Sequence, residues 1–222
     1  REGNSLAEGE IHGQNGGYPI AIALSNDAVK LAVSMININE GSVKSTIAFY
    51  NYGTVGQNEI DHCVGVNNYD DMVIPEMEFT SNDRMVAFGD TKALIFEGVQ
   101  KPQAIAEILM DEKTKSIFYN EHYIGIVTGN EDEAVTNHLA VYDENGKLVM
   151  EKDFGLDYSS IEFLTNNEIC IRNANVCDIY TVHGVYKFHH EFEEELFEII
   201  PGKLKLNYTL VLKNTTQRIR LK

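Results

Sequence analysis

Seven histidines are the first residues here that could do chemistry, because two or three imidazoles with a carboxylate make a zinc or iron site. Their spacing does not assemble one. His12, His62, His122, His138 and His183 fall one to a turn region, no His-Glu-x-x-His occurs, and His189-His190 are strand neighbours whose side chains point to opposite faces. No metal site is expected. Asp143-x-Asn145-Gly146 starts like a calcium loop, but Leu148 and Val149 are apolar and Glu151 comes too soon to complete the oxygen shell. A hairpin turn is the expected structure there. Nucleophilic catalysis would need a Ser, Cys or Thr beside a base, with an oxyanion turn to hold it. No Gly-x-Ser-x-Gly is present, and Gly53 to Gly56 lacks the Lys-Ser/Thr and the helix of a phosphate loop. Neither a catalytic residue nor a cofactor is read from these patterns.

Two acidic runs remain, Asn130-Glu131-Asp132-Glu133 and Glu191-x-Glu193-Glu194-Glu195. Both read first as solvated loops. The first lengthens a loop between two strands of one repeat, so Glu131, Asp132 and Glu133 are the candidate binding residues, for a cation or a basic partner. Lys+Arg 18 against Asp+Glu 34 gives a net charge of −16, which repels phosphates and disfavours DNA, RNA or an anionic membrane face. No apolar run approaches the roughly eighteen residues of a membrane span. Cys63, Cys170 and Cys177 cannot all pair internally and are too few for a disulfide scaffold. Buried thiols are expected, with a Cys170–Cys177 bridge left open for a favourable register.

The elements that must position these residues are strands. Runs rich in β-branched and aromatic residues recur, among them Val29–Ser34, Ile47–Tyr50, Ala93–Phe96, Tyr123–Thr128, Ile169–Arg172 and Tyr208–Lys213, each bounded by Asn, Asp or Gly. Asn145-Gly146 is the sharpest hairpin signal, since both residues tolerate positive φ. Helix evidence is thin: Gln103–Asp111 has Ile105, Ile108 and Leu109 at helical spacing and Glu191–Ile200 has room for a helical turn, but each is also the length of a strand. Turn landmarks at Ser25-Asn26-Asp27, Ser81-Asn82-Asp83, Asn120-Glu121, Thr165-Asn166-Asn167 and Pro201-Gly202 recur at intervals of roughly 36 to 56 residues, the period of four-stranded propeller blades. The expected fold is all-β: a WD40-like β-propeller of about four four-stranded blades and a partial fifth, as a fragment of a larger one. A polar segment, 1–16, precedes a single domain over 17–222, with blades about 17–66, 73–111, 114–155 and 157–193 and the partial unit 196–222. An open ring would leave an edge strand and an apolar face that invite self-association.

Tyr18-Pro19-Ile20-Ala21-Ile22-Ala23-Leu24-Ser25, Ala48-Phe49-Tyr50-Asn51-Tyr52-Gly53 with Val55-Gly56-Gln57-Asn58, and Cys177-Asp178-Ile179-Tyr180-Thr181-Val182-His183-Gly184 with Lys187-Phe188 resemble a bacterial family. Val141-Tyr142-Asp143 with Asn145-Gly146-Lys147 and the ending Ile219-Arg220-Leu221-Lys222 fit the same pattern. The family is an uncharacterised Gram-positive domain of unknown function, whose members look like WD40-type propellers held outside the cell by one N-terminal membrane helix. Against it, this sequence starts part-way, without the anchor and first blades, and carries Ala28 where such a turn often has Gly. The resemblance implies an extracytoplasmic, membrane-tethered binding or scaffold module whose partner is a protein or an envelope component. It brings no catalytic residues. The alternative is an enzyme on cell-surface glycans or peptides, with carboxylates meeting at the propeller channel; the lack of Trp weakens its sugar version.

Overall fold

The structure is a computed structural model describing residues 17–39, 41–53, 62–110, 114–129 and 136–221. Segment 1–16 therefore lies outside the described residues, as do Glu131, Asp132 and Glu133. The described residues form nineteen strands and no helix, in two compact units, Arg1–Asp111 and Glu112–Lys222.

In the first unit, β1 (Tyr18–Leu24), β2 (Lys30–Asn39), β3 (Ser42–Asn51) and β4 (Cys63–Asp70) pair in chain order as one antiparallel sheet. A second sheet follows from β5 (Glu76–Phe79), β6 (Arg84–Phe88), β7 (Lys92–Glu97) and β8 (Gln103–Leu109), again in chain order. Gln103–Leu109 is thus a strand. Its three apolar residues at helical spacing do not form one buried stripe, since of Ile105, Ile108 and Leu109 only Ile108 is buried. Pairing along β7 decides the conformation.

The central strands are apolar on both faces because both faces are covered. Ala93 to Phe96 in β7 are all fully buried, as are Met85 to Phe88 in β6. One face meets the first sheet, where Ala23, Ala32, Ile47 and Phe49 pack with Met77, Met85, Leu94 and Phe96. The Phe49 and Phe96 rings sit 5.2 Å apart and tilted, an arrangement worth about 1 kcal/mol beyond the area it buries. Buried hydroxyls staple the joint: Ser34 Oγ donates to the Ile74 carbonyl (2.8 Å) and Ser45 Oγ to that of Met72 (2.6 Å). β1 shows the sheet period at its rim, with Ile20, Ile22 and Leu24 exposed and Ala21 and Ala23 turned inward.

In the second unit, β9 (Thr114–Tyr119), β10 (Tyr123–Thr128), β11 (Asn137–Asp143) and β12 (Leu148–Phe154) make one sheet. β13 (Ser160–Thr165), β14 (Glu168–Arg172), β15 (Val176–Thr181) and β16 (Tyr186–Glu191) make the next, and β17 (Leu196–Pro201), β18 (Asn207–Leu212) and β19 (Thr216–Arg220) make a sheet of only three. Turn chemistry agrees with the sequence. Asp143 Oδ1 accepts the backbone N–H of Asn145 and of Lys147 (both 2.9 Å), and Gly146 takes φ +75°, so the calcium-like motif closes a hairpin on itself. Asn120 and Asn173 likewise each accept two backbone N–H groups across their turns. Two cores separate the three sheets. Phe118, Val127, Leu139, Ile169 and Ile171 belong to the first, and Cys170, Cys177, Ile179, Leu196, Tyr208 and Leu210 to the second.

Candidate functional site

A surface feature of the second unit lies beside its last sheet, which has three strands among the described residues. β19 pairs with β18 in the register Asn207↔Arg220, Tyr208↔Ile219 and Leu210↔Gln217. Just beyond these pairs Leu221 N donates to the Leu206 carbonyl (2.8 Å) and Leu212 N to that of Thr215 (2.8 Å). Antiparallel ladders alternate bonded and non-bonded pairs, so Gln217, Ile219 and Leu221 spend their N–H and C=O groups on β18. The backbone groups of Thr216, Arg218 and Arg220 then face away from β18, along an edge that no strand among the described residues pairs with. β18 agrees from its other side, where the Asn207 carbonyl bonds Gly202 N (2.7 Å) on the β17 side.

Beside this edge, between β16 and β19, lies a recess of about 480 Å³. Its apolar wall comes from Phe188 of β16, Phe192, Leu212 of β18, and Ile219 with Leu221. In two other sheets the fourth strand brings buried side chains to such a place, Ile108 in β8 and Met150 with Phe154 in β12. No described strand does so here. His190 lies on the same wall, its ring 6.0 Å from Phe188 and 4.6 Å from Phe192. His189, its neighbour, points the other way and bonds Asp178 through Nδ1 (2.7 Å), so the opposite-face expectation for this pair is met.

The second acidic run forms the rim. Glu191, Glu193 and Glu194 border the recess, and the loop is tied to the β18–β19 turn: Asn214 N donates to Glu194 Oε2 (3.3 Å) and Lys213 Nζ sits 3.9 Å from Glu195. The opposite face of the sheet is basic. A second hollow of about 600 Å³ runs along Lys203, Thr209, Arg218 and Arg220. Sequence reasoning reads Glu191–Glu195 as a solvated loop and misses the recess, because the apolar residues that build it are spread over β16, β18 and β19 and the residues that follow β16 and β19.

Between β14 and β18 a carboxylate is buried. Glu168, 6% exposed, accepts hydrogen bonds from the Tyr208 hydroxyl (2.7 and 2.8 Å) and from Thr165 Oγ1 (3.2 Å), and pairs with Lys187. Burial pushes its pKa up, but the bonds from Lys187 and Tyr208 outweigh that and hold it below the ordinary carboxylate value. The Tyr208 phenol is pushed up by burial and by the carboxylate it serves. Every partner is a fixed side chain, so the cluster ties two sheets together. The histidines do similar local work, His138 bonding Asp153 (2.8 Å) across β11–β12. Among the described residues, no three His, Cys, Asp or Glu side chains gather as a metal site. Cys170 and Cys177 lie fully buried on adjacent strands with their sulfurs 3.6 Å apart, as free thiols. Sharing a hydrogen bond with Cys177, and burial, push the Cys170 thiol far up.

No curated protein matches the sequence. Among solved structures, KlHsv2 with loop 6CD replaced by a Gly-Ser linker is similar over 92% of this chain and 63% of its own, at 10% identity and a TM-score of 0.52. The Pan2 WD40 domain of Neurospora crassa is similar over 90% of this chain and 61% of its own (6% identity, TM-score 0.49). BBS1N, in a complex with ARL6DN, is similar over 91% and 64% (13% identity, TM-score 0.49). The chain spans less than two thirds of the length of each. Likeness at such identity speaks for fold alone, and the fold is a WD40-like β-propeller whose blades are the antiparallel sheets described above. Residues 1–221 match the family described as a family of unknown function (DUF5711), and the chain belongs to that family.

Proposed function

We propose that the protein is a non-catalytic recognition or scaffold propeller that binds another protein through the recess beside β19. The observation that carries this reading is an apolar hollow of about 480 Å³ flanked by a strand edge that no described strand pairs with. An open edge offers main-chain bonds and a hollow offers side-chain selectivity, the two components of strand-type peptide recognition. A place outside the cytoplasm, tethered at the membrane, belongs to the proposal and rests on the resemblance of the motifs to the Gram-positive family. An enzyme working through channel carboxylates would draw support from clustered acids with raised pKa values. Among the described residues Asp27 and Glu168 are shifted downward instead, Asp27 by hydrogen bonds from Ser25 and the Val29 backbone and Glu168 by Lys187 and Tyr208.

A photo-crosslinking residue placed at Phe192 in the full-length protein, in its native cells, tests the reading. One discrete protein adduct is expected at position 192 and none from a control at Lys147, in an exposed turn. Equal labelling from both positions, or none from either, would sink it.

A further inference from the structure

Among the described residues no strand pairs with β19 on the side where Thr216, Arg218 and Arg220 direct their backbone groups, and its two arginines have a second peculiarity. Arg84 is paired with Glu97 (2.8 Å) and Arg172 lies 3.7 Å from Glu162. Arg218 and Arg220 have no carboxylate partner among the described residues, although the chain carries 34 acids. Standing two apart in one strand, they project from the same face. Gln217 and Ile219 project from the other, toward the recess, whose border Arg220 also reaches from the edge of the sheet.

We infer that the β19 edge takes up an extended peptide as a fourth strand, apolar at alternate positions that enter the recess and carboxylate-bearing at the positions between, beside Arg218 and Arg220. This rests on the recess being the recognition surface. Each half of the pattern has its own cause. Side chains entering on the recess side meet Phe188, Phe192 and Leu212, with Glu191, Glu193 and Glu194 on the rim. That side accepts apolar groups and repels acids, so register is set by exclusion as well as attraction. On the other side the Cβ atoms of an acid and of the arginine directly across from it lie about 5 Å apart, so their charged ends can meet as an attractive cross-strand pair. The net charge of −16 opposes an acidic peptide at long range, but beyond about 10 Å that repulsion is largely screened at ordinary ionic strength. The near pairs therefore decide the preference.

The probe is a short fluorescent peptide alternating isoleucine or valine with glutamate, compared with a twin carrying lysine for each glutamate. Anisotropy titration of the 222-residue chain is expected to give about tenfold tighter binding of the glutamate peptide, from two cross-strand pairs. The double variant Arg218→Glu/Arg220→Glu should reverse the order, and its circular dichroism should match wild type because both side chains are exposed. Methylating the peptide nitrogens that face β19 should weaken binding by a further factor of about ten, as loss of main-chain bonds requires. Equal affinity for the twins, or indifference to methylation, overturns the inference. So does a dimer that Ile219→Lys dissolves, which would give the edge to a second copy, or peptide binding that appears only once residues 1–16 are removed. If the peptides fail while crosslinking at position 192 still traps a partner, the stated chemistry is wrong and the recess reading stands. If both fail, both fall.

Discussion

Glu168 shows how a single side chain can hold two blades in register. Its carboxylate is met by Tyr208, Lys187 and Thr165, so deleting it strands a buried phenol and leaves a half-buried ammonium without its partner. Glu168→Ala is expected to cost about 3 kcal/mol in a urea titration, and Tyr208→Phe about 1 kcal/mol. The pH dependence follows from the direction of the shift. The folded chain holds Glu168 below its unfolded value of 4.5, so it binds fewer protons than the unfolded chain in that range. Its contribution is complete above about pH 4.5 and drains away as the pH falls through the lower folded value. Wild type should therefore lose more stability between pH 5 and 3 than Glu168→Gln does, and equal losses would remove the carboxylate from the account. Thiols give a second test. With Cys170 and Cys177 buried and Cys63 half-buried, iodoacetamide at pH 8 should label Cys63 alone in the folded protein and all three in denaturant, as read by peptide mass. None of the Glu168 network was visible in the sequence. An acid at the start of a strand, just after Asn166-Asn167, reads as part of a turn, and its partner lies forty positions downstream.

At the scale of elements, what the sequence disclosed was whatever local chemistry controls. Tyr123–Thr128 was bounded as a strand at the same residues that β10 occupies, because the run is β-branched and aromatic and ends at a glycine. Asn145-Gly146 turned as expected because its φ requirement is local. Ala28 is the instructive exception. It stands at φ +59° in a turn whose other bonds are in order: Ala28 N donates to the Ser25 carbonyl and Lys30 N to Ser25 Oγ (both 2.8 Å). A Cβ in that region costs about 1 kcal/mol, so Ala28→Gly should raise the urea midpoint by roughly that amount despite glycine's larger unfolded-state entropy. An unchanged or lower midpoint would mean the entropy term wins. Gly125 presents the opposite case. Opposite it in the β9–β10 pair is Phe118, whose ring would lie 2.2 Å from an added Cβ. Gly125→Ala should therefore expel the ring from its contact with Phe163, at 4.6 Å, and cost about 2–3 kcal/mol. The spacing of turns reveals the blade period, whereas the edge of β19 becomes informative only with the recess and the two arginines that have no carboxylate partner among the described residues.

For the molecule as a whole, the charge of −16 spread over 222 residues sets a field that works against compactness. Attractive pairs oppose it, and the two respond differently to salt. Lys30, 4% exposed, donates to the Asn82 carbonyl (2.7 Å) and pairs with Asp83 across the first two sheets, and Glu168 is similarly enclosed. Such contacts are short and shielded from ions. Exposed acids such as Glu191 and Glu193, by contrast, repel over distances comparable to the screening length of about 10 Å at 0.1 M salt. Raising sodium chloride from 20 to 300 mM should then weaken the repulsion more than the attraction. The melting temperature should rise by a few degrees, and replacing three rim glutamates, Glu191, Glu193 and Glu194, by glutamine should give a smaller rise from a higher starting point. A melting temperature that falls with salt would show that the enclosed ion pairs, and not the surface excess, dominate the electrostatics. The same ranking governs recognition at β19, where two arginines in contact with a bound strand must outweigh the distant acids of the rest of the chain.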